Sequence, residues 1–300
     1  MTPPESDLNI FIIGPVGAGK TVFSFMLNQH VVQHPEQGIA FKVGDWKTKA
    51  HLAVIGQALE NQSWPPGTAP GNLTSLQWEW DFYGRQAQFT LIDPPGEDIE
   101  KELRGESAKL LILQSIRNAD VIFVLLDLHE HQSEKHLKKT QNAWIVENVL
   151  RNAATAQRVV LGVSKGDLMT HLLPIKSWRK KTQVLDLIGS MMPEFNLNAF
   201  RSQLEERKVE VVLFSAVYHT EARLDGEEKL QRVPGLPLRS EGLDVFVKAI
   251  TEGYSDKVWQ RFWHKSKQWI IELICSRRFW LALFIAFLLY LLYWYCVSVF

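Results

Sequence analysis

The sequence predicts a three-layer α/β domain, a mostly parallel sheet with helices on both faces, followed by one C-terminal membrane-spanning helix. Three observations lead there. Short apolar runs at Leu8–Ile13, Ala119–Asp127, Arg158–Ser164 and Val209–Ser215 alternate with longer segments of helical character, the pattern of parallel strands joined by helical crossovers. A glycine-rich stretch, Gly14–Thr21, sits between the first run and the first helix. The last 22 residues, Phe279–Phe300, carry no charge.

Taken in order, Leu8–Ile13 is a buried strand and Lys20–Val32 the helix after it. Residues 35–71 read poorly, with one helix around Lys49–Glu60 and then a Pro/Gly-rich loop from Trp64. Ser75–Tyr83 alternates apolar and polar residues, a half-exposed strand. Gly84 and Arg85 turn the chain, and Gln86–Asp93 returns as a second strand. This hairpin predicts one antiparallel strand, placed at an edge of the sheet. Glu100–Asn118 reads as a helix, and Ala119–Asp127 as a central strand covered on both faces. Helices over Ser133–Ala154, Ile175–Met191, Asn198–Arg207 and Gly242–Tyr254 complete the pattern. The domain map is then residues 1–7 as a disordered start, 8–254 as the α/β domain, 255–278 as a basic, aromatic helix beside the membrane, and 279–300 as the span.

Gly14-Pro15-Val16-Gly17-Ala18-Gly19-Lys20-Thr21 fits G-x-x-x-x-G-K-[ST], with Val22 next on the helix. Glycines let the backbone curl so that several N–H groups point inward at phosphate oxygens. The following helix aims its positive end at the same point. Lys20 reaches the β and γ phosphates, and the Thr21 hydroxyl is a ligand for Mg²⁺. The motif therefore predicts a P-loop domain that binds a nucleoside triphosphate.

Composition bounds the rest. Formal net charge is zero, with 46% hydrophobic and 22% charged residues, so nothing draws the whole chain to nucleic acid. The two cysteines, Cys275 and Cys296, lie in or beside the last apolar segment, which fits a reducing compartment for the domain. The first residues have no leader pattern. Phe279–Phe300 would span about 33 Å as a helix, one bilayer core. Trp280, Tyr290, Tyr293, Trp294 and Tyr295 suit its interfaces, and Arg277 and Arg278 its cytoplasmic flank. The expectation is a single-pass protein held by its C-terminus, its soluble part in the cytoplasm, with a bacterial inner membrane as the setting. Trp259, Phe262, Trp263 and Trp269 among Lys257, Arg261, Lys265 and Lys267 read as an interfacial helix on anionic lipid in preference to a nucleic-acid face. Cys275 is placed for palmitoylation.

Three further motifs narrow the nucleotide. Asp93-Pro-Pro-Gly96 ends the hairpin's second strand, Ser164-Lys165-Gly166-Asp167 follows the strand at Arg158, and Ser215-Ala216 closes the last strand. In order, spacing and strand-end position they resemble the D-x-x-G, N-K-x-D and S-A motifs of the P-loop GTPases of the Ras-like, translation-factor (TRAFAC) class, over about Leu8 to Gly253. The resemblance implies a GTP/GDP site with Mg²⁺. Asp93 would hold the metal through water, and Gly96 would sense the γ-phosphate. Asp167 would accept two hydrogen bonds from guanine N1 and N2, and the Lys165 stem would lie along the base. Ser164 stands where the family has Asn. The family's switch threonine, which contacts Mg²⁺ and the γ-phosphate, falls on Thr74 or Thr68. Many members place Gln after D-x-x-G to orient water; here Glu97 stands there, so slow hydrolysis is expected, helped by an activating partner or self-association. Within the class, the loop and Asp93-Pro-Pro-Gly96 look most like bacterial GTPases of defence or conflict systems, with membrane trafficking as the competing context.

Two other features are weighed. Asp127 at the end of a very apolar strand could serve an ATPase as its metal acid with Glu130 polarising water, but that arrangement wants acid and glutamate adjacent, and two residues intervene. His129-Glu130-His131 with His136 looks metal-like, yet its spacing fits no zinc pattern, and solvated side chains are the expected reading. The functional expectation is a membrane-anchored, Mg²⁺-dependent GTP switch read by a protein effector. A nucleotide-bound membrane scaffold without turnover is the second reading.

Overall fold

A computed structural model describes residues 8–34, 39–43, 45–65, 67, 74–82, 85–96, 98, 101, 111–128, 135–192, 196–206, 209–218, 220–222, 230–232 and 238–275. The chain divides into two compact units, Met1–Tyr254 and Ser255–Phe300. In the first, the strands are β1 (Leu8–Ile13), β2 (Ile39–Val43), β3 (Thr74–Phe82), β4 (Arg85–Asp93), β5 (Val121–Leu126), β6 (Arg158–Val163) and β7 (Val209–Leu213), plus a small hairpin of β8 (Thr220–Ala222) and β9 (Leu230–Arg232). The helices are α1 (Lys20–Gln33), α2 (Trp46–Glu60), α3 (Leu111–Asn118), α4 (Lys135–Asn152), α5 (Lys181–Met191), α6 (Leu197–Glu206) and α7 (Asp244–Cys275). Residues 255–275 of the second unit are helical.

The first seven strands form one sheet in the order β2-β3-β4-β1-β5-β6-β7. β4, β1, β5, β6 and β7 are mutually parallel, and β3 runs antiparallel to both of its neighbours. Every residue of β5 is buried, as an interior strand between two covered faces requires. Alternation along β1 sends Ile10 and Ile12 to one core and Phe11 and Ile13 to the other. The first core takes Phe23 and Leu27 of α1, Leu52, Ile55 and Leu59 of α2, and Phe246 and Ile250 of α7. The second takes Ile116 of α3, Val146 and Val149 of α4, Val184 and Ile188 of α5, and Leu204 of α6.

Three expectations are corrected. The antiparallel strand is not the edge: β2, which pairs with β3 from Ile39↔Phe82 to Val43↔Trp78, lies outside it and was not read from the sequence. The helix expected over Ile175–Met191 breaks. A 3-10 turn at Ile175–Ser177 comes first, and α5 starts only at Lys181, because Trp178 between them is fully buried and its carbonyl accepts from Leu213 N–H. α2 begins at Trp46, since Asp45 caps it by accepting from Thr48 N–H at 2.6 Å. Residues 1–7, Thr68, Glu97, His129–His131, most of residues 99–110 and the expected span at 279–300 lie outside the described residues. Among the described residues no helix is long and apolar enough to cross a membrane.

Gly162 on β6 matters to this architecture. A Cβ there would stand 2.6 Å from the Phe246 ring and 2.8 Å from that of Phe214. Those rings, with Phe23 and Phe123, form an edge-to-face cluster with centroids 4.7–5.8 Å apart. The close approach brings α7 onto the sheet two residues before the segment that carries Ser164. Gly162→Ala should overpack this cluster and lower unfolding free energy by about 1–3 kcal/mol, measurable as a shifted urea midpoint at unchanged m-value.

Candidate nucleotide site

β1 ends at Ile13 and α1 starts at Lys20, so six residues must turn the chain through the open end of the sheet. Gly14 passes over β5, where an added Cβ would lie 2.4 Å from the Leu125 carbonyl oxygen. Gly17 (φ 79°) and Gly19 (φ 82°) occupy the left-handed region that L side chains rarely adopt. Gly19 is the N-cap of α1 and supplies no side-chain cap, which leaves the helix N-terminus available to an anion. The Ala18 N–H closes the turn onto Pro15 O at 3.2 Å. Lys20 is buried and folds back over the loop, donating to Gly14 O at 3.0 Å and Pro15 O at 3.3 Å.

β4 lies against β1, so Asp93 ends beside the first turn of α1. Burial pushes its carboxyl up to about 6, against the pull of the Lys20 charge and a hydrogen bond with Thr21. One oxygen, Oδ1, is buried without a hydrogen-bond partner. A buried carboxylate with a spare oxygen beside a threonine hydroxyl is a fit for a hard divalent cation such as Mg²⁺. Thr74 is the Cα partner of Asp93 across the β3–β4 ladder, and directly opposed residues share a face, so Thr74 stands on the Asp93 side of the sheet. Gly96 folds against the phosphate loop; a Cβ on it would lie 2.8 Å from both the backbone nitrogen and Cγ2 of Val16.

The other half of the site lies at the ends of β6 and β7. Ser164 does not imitate an asparagine: its Oγ donates to Leu126 O at 3.0 Å and ties β6 to β5. Lys165 sits in the left-handed region at φ 60°, ψ 37°. The chain then dives inward, because Gly166 donates to Phe214 O at 2.8 Å and a Cβ there would meet Leu213 and Trp178 at 2.9 Å. Asp167 Oδ1 accepts from Ser215 Oγ at 2.7 Å. Ser215 is itself fixed by reciprocal 3.0 Å backbone bonds with Glu241, and Glu241 by Arg179, which also grips both oxygens of Asp244. Ala216 follows Ser215 and is half-buried against the first core.

The structure thus groups Gly14–Thr21, Val22, Asp93, Thr74 and Gly96 at one end of the site and Ser164, Lys165, Asp167, Ser215 and Ala216 at the other. Asp127, considered above as the metal acid of an ATPase, is ion-paired to Lys165 at 2.7 Å, while Asp93 holds Thr21. Sequence reasoning missed this pair. The available signal was an acid at the end of the most apolar strand.

The model of the Double-GTPase 2 family matches residues 9–215, from β1 through Ser215. The chain belongs to that family. Membership makes guanine nucleotide the ligand class of this P-loop site. No curated protein matches the chain. Among solved structures it is similar to one titled the signal recognition particle receptor SRb-GTP/SRX complex from Chaetomium thermophilum, at 19% identity, covering 70% of this chain and 91% of that one, with a TM-score of 0.39.

The Asp93 geometry has a signed consequence for metal-free, nucleotide-free protein. Its folded value of about 6 exceeds the ordinary 3.8, so the fold binds this proton more tightly than the unfolded chain. Stability from this group is therefore present at low pH and lost as pH rises through about 6. Asp93→Asn should raise the stability of the metal-free protein at pH 7.5, by on the order of 3 kcal/mol, and leave it unchanged near pH 4. Thermal melts in EDTA at the two pH values check both halves.

Proposed function

We propose that this family member is a Mg²⁺-dependent guanine-nucleotide switch held to a membrane by its uncharged segment Phe279–Phe300. The observation that carries the guanine reading is Asp167, fixed by Ser215 at 2.7 Å beside the left-handed Lys165. A positioned carboxylate can accept the paired N–H groups of a guanine edge, which adenine lacks. At the phosphate end, Lys20 and the N-terminus of α1 would take the triphosphate. Thr21 and Asp93 would hold Mg²⁺, whose charge offsets that of the β and γ phosphates. The approach of Gly96 to Val16 and the pairing of Thr74 with Asp93 support a switch in which a γ-phosphate would order these two segments. An effector or activating protein would then read the ordered state.

A second reading, a nucleotide-bound scaffold with negligible turnover, is favoured by one observation: Glu97 follows Gly96 where a water-orienting glutamine would serve hydrolysis. Asp167→Asn, whose amide complements the extra carbonyl of xanthine, should lose guanine nucleotide by at least about 100-fold and gain xanthine nucleotide. Retained preference for GDP would remove Asp167 from the base site. Phosphate release from wild type in the same buffer then separates switch from scaffold: no turnover at any protein concentration leaves the scaffold.

The membrane part of the proposal is supported by the uncharged Phe279–Phe300 and the Arg277-Arg278 flank, and sets the nucleotide domain on the cytoplasmic face. Truncation after Ser276 should move the protein from the membrane pellet to the supernatant in a carbonate-washed fractionation. A truncated chain that still pellets argues against the span.

A further inference from the structure

We infer that Asp127, braced by Asn142, is the positioning residue that holds Lys165 as one wall of the guanine slot, an inference that rests on the guanine reading above. The two residues come from different strands, 38 positions apart. Asp127 follows β5 and Lys165 follows β6, and those strands are paired in parallel up to Leu126↔Val163. Their ends therefore lie side by side.

Lys165 Nζ is 2.7 Å from Asp127 Oδ2, the aspartate side chain has 0% exposure and the lysine 18%. A carboxylate this deep costs several kcal/mol in desolvation unless a cation and further hydrogen bonds meet it. The backbone that carries the acid is held as well, since Asn142 of α4, 1% exposed, donates Nδ2–H to the main-chain carbonyl of Asp127 at 2.7 Å. A lysine stem has several rotatable bonds and about 2 kcal/mol of rotamer entropy to lose. Fixing Nζ removes most of that freedom before any base arrives. The backbone does the same at the other end. Lys165 occupies a left-handed conformation that non-glycine residues seldom hold without a functional or structural reason, and Gly166 is locked to Phe214 O. Both ends of the side chain are thus set by the protein, so the apolar wall exists in advance of the ligand and binding pays less ordering entropy.

Such a residue acts on the base and not on the phosphates. It should change affinity for GDP and GTP alike, because the discrimination between them is made at Thr21, Asp93 and Gly96. It should also act only through Lys165.

The experiment is calorimetric titration of the full-length chain in detergent with Mg²⁺, using GDP and a non-hydrolysable GTP analogue. Asp127→Asn should weaken both by about tenfold, the equivalent of 1.4 kcal/mol, with their ratio unchanged. Lys165→Met should weaken both similarly, and the double variant should be no worse than the worse single variant. Asn142→Ala keeps the ion pair and loosens its anchor, so it should weaken both nucleotides several-fold; it serves alone if Asp127→Asn does not fold. Unchanged affinity in Asp127→Asn, multiplying losses in the double variant, or a shifted GDP-to-GTP ratio would each overturn the proposal, as would wild-type affinity in Asn142→Ala. If wild type binds neither nucleotide, the guanine reading itself is wrong; if wild type binds and the variants bind equally well, the positioning role alone fails.

Discussion

Parallel pairing makes strand ends coincide, and the whole site depends on that. β4, β1, β5, β6 and β7 run the same way and are paired almost to their last residues, Ile92 with Phe11, Ile13 with Val124, Leu126 with Val163 and Val163 with Leu213. The residues at or just after these ends therefore meet at one edge of the sheet: Asp93, Gly14, Asp127, Ser164 and, after Phe214, Ser215. Ligands of open parallel sheets bind at the C-terminal ends of their strands for this reason. A one-residue slip in any pairing would send these residues to the other face or the other core. The glycines at 14, 162 and 166, each with backbone or ring atoms closer than 3 Å to where a Cβ would be, are what let the elements approach closely enough to fix those registers.

The crevice is electrostatically incomplete at one end and complete at the other. At the phosphate end, Lys20 turns onto its own loop carbonyls and Asp93 is held at a raised value with one oxygen unpartnered. Both arrangements cost energy that Mg²⁺ and phosphate would recover, since each supplies the charge that the protein groups there face. At the base end, Lys165 is met by Asp127 and Asp167 by Ser215. On the proposed reading, the protein would prepare the base slot with its own charges and leave the triphosphate slot to be completed by the ligand.

What could be read beforehand follows from how local each signal is. β1, β5, β6 and β7 announced themselves as apolar runs because a parallel strand buried on both faces has no polar positions to spare. Gly14–Thr21 was legible since its chemistry is contiguous. β2 was not: it is five residues long, lies in a Pro/Gly-punctuated region, and gains its order from pairing with β3 instead of from its own pattern. That omission also put β3 at the edge. The break at Trp178 was hidden because it comes from a tertiary bond to Leu213, not from a helix-breaking residue in place. The Lys165–Asp127 pair is likewise a product of strand adjacency, which no spacing along the chain encodes.

The asymmetry within β3 bears on switching. From Trp78 onward this strand is flanked by β2 on one side and β4 on the other. Before that point β2 has ended, and the outward N–H of Gln77 is met by Thr48 Oγ1 of α2 at 2.9 Å. Thr48 is buried and also bonded, through its own N–H, to the Asp45 cap. So among the described residues the stretch that begins at Thr74 is held by a full ladder on the Asp93 side and by a single side-chain bond on the outer side. Thr74 sits at the end of this stretch, opposite the carboxylate that would hold the metal. Through Thr48 this stretch is joined to α2, the helix that bears the exposed Trp46 and Val54, so the hydrogen bond at Thr48 ties the outer side of β3 to that helix.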